Sequence, residues 1–101
     1  MDFEEYNANL LGEINKEVGR LRREIRQFVD VVRDAIDYVM NPQEKNIILV
    51  RLYSFVRFPS IPKVYDILRL LHAVNVPSEK IPDISLVSSV ITLLLSGKHL
   101  A

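Results

Sequence analysis

The stretch Phe3 to Met40, FEEYNANLLGEINKEVGRLRREIRQFVDVVRDAIDYVM, decides the fold. Within it Leu11, Ile14, Val18, Leu21, Ile25, Phe28, Val32, Ala35 and Val39 are separated by alternating threes and fours, an unbroken apolar heptad seam. The residues beside the seam change halfway along. Asn15, Glu17, Arg22 and Glu24 flank its first part, leaving a narrow stripe suited to one partner helix. After Phe28 the flanking residues are Val29, Val31, Ile36 and Tyr38, and the stripe is broad enough to sit inside a bundle. One helix is therefore expected from Phe3 to Met40. Residues 28–40 should serve the chain's own core, and residues 3–27 should form a coiled-coil-like half that needs cover from outside it.

Asn41-Pro42 stops this helix, since Asn tolerates a left-handed cap and Pro cannot continue the hydrogen-bond ladder. Asn41, Pro42 and Glu44 then make a capping-box-like start for a second helix running to about Arg57. Its middle, Ile47-Ile48-Leu49-Val50, is rich in β-branched residues, but no second strand-like run exists to pair with it. It reads as a buried helix. Phe58-Pro59-Ser60 punctuates the chain, with Ser60 as N-cap for a third helix whose face is Val64, Ile67, Leu68, Leu71 and Val74. Asn75 to Pro82 reads as an exposed loop with a helical turn after Ser78. A last helix starts at Asp83 and ends at Ser96, with Gly97 as its cap and Lys98 and His99 near its negative end. The expectation is an all-α fold: a single helical domain over residues 1–101, with a long N-terminal helix and three shorter ones forming a bundle (28–97) that dimerisation completes.

Length drives the expectation of a partner. A helix over residues 3–40 is ~55 Å long at 1.5 Å per residue, whereas the others span only ~20 to 24 Å. The long helix must overhang its bundle at the N-terminal end, because the short link at Asn41-Pro42 ties its other end to the second helix. The overhang carries Leu11, Ile14, Val18, Leu21 and Ile25, and with Phe28 these are the expected interface residues. Burial gains roughly 1.5 to 3 kcal/mol for each large aliphatic side chain, so exposing them all would forfeit a sum comparable to a small domain's stability. Two outcomes avoid that loss. The helix can break at Gly12 or Gly19 and fold back, or it can pair with a second copy; neither glycine has a capping residue beside it, which favours pairing.

Orientation stays open at this level. Residues 1–19 carry five acids and one Lys, residues 20–33 carry five Arg and two acids, and an antiparallel pair matches the opposite blocks. A parallel pair instead sets Glu17 against Arg22 of the other chain, an attractive flanking contact.

Composition removes several classes of function. Thirteen basic and thirteen acidic residues cancel, so no bulk charge draws the chain to nucleic acid or anionic lipid. No cysteine is present, hence no disulfide, thiolate nucleophile or cysteine-based zinc site. No uncharged run is long enough to span a bilayer, and the acidic N-terminus is unlike a signal peptide, so a cytoplasmic location is expected.

The local clusters each have a plainer reading. Arg20, Arg22, Arg23 and Arg26 form the one dense basic group and suit phosphate contacts. Their plainer reading is a solvated face with pairs at four-residue spacing, Arg20–Glu24, Arg26–Asp30 and Arg33–Asp37. No aromatic residue lies among the arginines to stack on bases. The second and third helices imitate a helix-turn-helix with Lys63 and Arg69 on the reading helix, but a helical pair with a short link is the default element of a bundle. Asp30, Asp34 and Asp37 fall on the outward face, and His72 and His99 have no companion at ligand spacing, so no metal or cofactor is expected. The hydroxyl stripe Ser85, Ser88, Ser89, Thr92 and Ser96 has no general base at a recognisable spacing, and no catalytic set emerges. The sequence thus reads as a non-enzymatic assembly or adaptor protein that self-associates, with nucleic-acid binding through the arginine cluster as the alternative.

Overall fold

The structure, a computed structural model, describes the backbone of residues 3–97 and the side chains of residues 19–96. Among the described residues there are four α-helices and no strands: α1 (Phe3–Ile36), α2 (Pro42–Arg57), α3 (Ile61–Ala73) and α4 (Ile84–Gly97), with one 3-10 turn at Ser78–Lys80. The all-helical expectation holds, with three local corrections.

The first concerns the end of α1, which stops at Ile36 rather than Met40. There the N–H groups of Asp37, Tyr38 and Val39 donate to the carbonyls of Asp34, Ala35 and Ile36, three residues back instead of four. This tightened exit keeps Val39 in the core while Met40 turns out to solvent. Asn41 then caps α2 as expected, its Oδ1 accepting from the N–H of Gln43 at 2.8 Å and of Glu44 at 3.1 Å. At the other end of α2 the Lys63 ammonium donates to the carbonyl of Phe58 at 2.7 Å and, at 3.2 Å, to that of Ser54, which also accepts from the Phe58 N–H.

The second correction concerns the burial of α2. Only Ile48, Leu52 and Phe55, one stripe at i, i+4 and i+7, are buried. Ile47, Val50, Tyr53 and Val56 are largely exposed, so α2 is a surface helix carrying apolar residues on both faces. Its β-branched content reported composition, not position.

The third concerns the connection from α3 to α4. It is not an open loop, because Val76, Ile81 and Pro82 are buried. Asn75 adopts the left-handed conformation at φ 61°, its N–H donates to the His72 carbonyl, and the Val76 N–H reaches back to the Leu71 carbonyl at 3.2 Å. This is a Schellman closure, and it directs Val76 inward toward the buried Leu71 layer. Ser60 occupies the N-cap of α3 but its side chain makes no capping bond. Asp83 does cap α4, its Oδ1 accepting from the Leu86 N–H at 2.9 Å. Lys98 and His99 lie outside the described residues.

α1 packs between α2 and α4, and α3 closes the far side against both. The core is Phe28, Val32, Ala35, Ile36 and Val39 from the α1 end, the α2 stripe, Val64, Ile67 and Leu71 from α3, and Val90 from α4, with no buried polar side chain among the described residues. Phe28 and Phe55 meet at its centre, ring centroids 5.2 Å apart and planes tilted by 59°. Phe28, placed by the seam among the interface residues, is 0% exposed and belongs to this core instead.

Phe55→Ala should cost about 3–5 kcal/mol, because the ring leaves a cavity against Phe28. Asn41→Ala should cost about 1 kcal/mol through the lost cap. Urea unfolding followed by circular dichroism reads both, and equal effects from the two would contradict this assignment of the core.

Candidate self-association groove

The direction of α4 sets the geometry of the α1 surface. Lys80 lies over the Tyr38 ring at 5.6 Å, and Asp83, Ser85, Leu86 and Ser89 line one depression with Glu24, Gln27, Asp30 and Val31. α4 therefore runs antiparallel to α1, back toward its N-terminus. Its 14 residues span ~21 Å, about the stretch of α1 from Val31 to Val18. Residues 3–17 of α1 extend past the end of every other described helix. That stretch is shorter than the half-helix over 3–27 expected from the pattern, because α4 turns back along it. The molecule measures 60 × 22 × 18 Å, its long axis reflecting this projection.

On the opposite flank from α4, an apolar groove opens between α1 and the end of α2. Leu21, Ile25 and Val29 form its α1 wall, all half-buried, while Val56 and Pro59 from α2 and the turn after it form the other. Arg22, Arg26 and Arg33 stand around it with Asp30 as the one acid, all exposed. The seam predicted Leu21 and Ile25 here. It missed Val56 and Pro59. Their signal was present in the spacing, since Val56 follows Leu49 by seven residues and so flanks the buried α2 stripe, but which flank turns toward α1 is a property of packing. Leu11, Ile14 and Val18 have side chains outside the described residues, although the helix that carries them is continuous through Gly12 and Gly19.

Arg20, Arg22, Arg23 and Arg26 are all exposed. The pairs expected with Glu24 and Asp30 are not closed, and neither is Arg33–Asp37; among the described residues the ion pair present is Arg51–Asp66, at 3.5 Å between α2 and α3. Lys63 is held by the α2 carbonyls, so it does not stand free as a reading residue beside Arg69. Asp30, Asp34 and Asp37 sit on the outer face around Arg33. Among the described residues no group of three His, Asp or Glu side chains is placed to hold a metal ion. No described helix is long and apolar enough to cross a membrane. The α4 hydroxyls face outward or lie at its edge while Val90 is fully buried, as the stripe implied.

No protein-family model, curated protein or solved structure matches the chain, so the site rests on its own geometry.

Gly19 lies in α1 with open space around the position a Cβ would take. Gly19→Ala should raise α1 stability by up to ~1 kcal/mol through helix propensity alone. Far-UV circular dichroism during thermal unfolding measures the gain.

Proposed function

We propose that this chain is a non-enzymatic assembly or adaptor module that self-associates through the N-terminal part of α1. The carrying observation is that α1 runs unbroken from Phe3 past the ends of its neighbours, through both glycines at which it could have folded back. By the heptad pattern Leu11 and Ile14 fall on one face of that projection, and Val18, Leu21 and Ile25 continue the seam where α4 begins to accompany it. No described helix of the same chain is long enough to follow it, and a second copy supplies the missing length. The core supports this division of labour, since Phe28, Val32, Ala35 and Ile36 are consumed by the bundle while Leu21 and Ile25 remain half-open. Such a protein acts by holding two bundles at a set separation, and the bundle surfaces are what it presents.

One observation favours a second reading. Arg20, Arg22, Arg23 and Arg26 are exposed and make no ion pair with a described residue, as a phosphate-binding face requires. The exposed aromatics Tyr38, Tyr53, Phe58 and Tyr65 lie just past the end of α1, on α2, in the following turn and on α3 rather than among these arginines, so base stacking does not reinforce it.

Sedimentation velocity on the wild type should give a dimer and on Leu21→Glu a monomer with its helicity retained, because Leu21 lies at the groove and outside the core. A monomeric wild type at tens of micromolar rejects self-association. For the second reading, nucleic-acid affinity should fall steeply with salt, and Arg22→Gln, Arg23→Gln and Arg26→Gln together should flatten that slope by about three phosphate contacts. An unchanged slope leaves the cluster a solvated face.

A further inference from the structure

We infer that the groove formed by Leu21, Ile25, Val29, Val56 and Pro59 receives the acidic first turns of α1 from a second copy, in antiparallel orientation. This rests on the self-association proposed above and adds its occupant and direction.

Charge selects the occupant. Arg22, Arg26 and Arg33 against Asp30 give the groove margin an excess of two positive charges. Residues 1–9 hold Asp2, Glu4 and Glu5 and no base, with Phe3 and Tyr6 as apolar companions. The chain's own acidic segment cannot reach the groove, because it lies further along the same unbroken helix. A second copy can bring it there.

Shape selects the direction. The bundle of each copy sits directly over its own seam from Phe28 onward, with α2 and α4 on the two flanks of α1. Two seams facing each other in parallel would drive both bundles into the same space, and straight helices cannot splay around them. Antiparallel, the core of each bundle, from about Phe28 onward, lies at or beyond the N-terminus of the other copy. Pairing the seam so that Leu11 faces Leu21 and Ile14 faces Val18 gives four apolar layers by symmetry. The same register sets Glu5 level with Gln27, one residue from Arg26, and Glu13 level with Gly19, one residue from Arg20, and ends the incoming helix at the level of Val29, within the groove. It leaves the Glu17–Arg22 contact of the parallel alternative unused.

The chain has no cysteine, so single-site spin labels are unambiguous. Asp34→Cys places a label on the exposed outer face of α1, away from the groove. In this register the two labels are offset by 36 residues, ~54 Å along the axis, whereas parallel copies keep them level and within about 40 Å. Arg26→Glu and Glu5→Lys should each weaken dimerisation about fivefold, and the double variant should restore it. A dimer with the short distance, or one that the double variant does not rescue, overturns the antiparallel groove while leaving self-association standing. A monomeric wild type overturns both.

Discussion

A mismatch of length governs this structure. One helix of 34 residues is built into a bundle whose other helices have 16, 13 and 14. Helices gain most of their stability from the surface they bury, so the short ones determine how much of the long one the chain can cover. Everything else follows from where they are placed. The tight link through Asn41 holds α2 against the C-terminal part of α1, the 75–83 connection, anchored by buried Val76, Ile81 and Pro82, holds α4 on the opposite flank, and α3 bridges them. What remains is a rod projecting from a small apolar core.

The covered and uncovered parts of α1 are thereby separated along one helix. The core is dry and wholly apolar, centred on Phe28 and Phe55, and its polar termini are closed by Asn41, Lys63, Asp83 and the left-handed Asn75. Charge plays little part in it: the Arg51–Asp66 pair is exposed, and such pairs add about 0 to 1 kcal/mol. Arg22, Arg26 and Arg33 lie instead beside the groove, exposed to solvent and outside the core. Substitutions at Phe28 and at Leu21, seven residues apart on one seam, consequently address different properties of the molecule.

Much of this was legible in the sequence because it depends on local chemistry. Asn41-Pro42 located the start of α2 to the residue, Asp83 located α4, and the alternating threes and fours described the core face of α1 from Phe28 to Val39. What escaped were rotations and directions, which local chemistry does not specify. The apolar run at Ile47–Val50 fits a helix inside a core or one at its surface; only the packing of α3 shows that Ile48 turns in while Ile47 and Val50 turn out. The 75–82 segment looked like solvent loop because its turn residues and charges are conspicuous, yet Val76 and Ile81 on either side of the 3-10 turn supply the apolar contacts. The direction of α4 shortened the uncovered part of α1, and the contribution of Val56 and Pro59 to the groove depended on which flank of α2 met α1.

The Asn41-Pro42 junction also restricts how two copies can be joined. A chain with a long projecting helix is a natural candidate for domain swapping, in which the link opens, α1 and α2 merge into one rod, and α2 to α4 cross to the other molecule. Merging would place the Pro42 ring against the carbonyl of Tyr38 and remove a backbone donor, at about 3 kcal/mol, and would release the Asn41 cap as well. The hinge is thus biased toward the closed hairpin, which keeps α2 to α4 on their own α1.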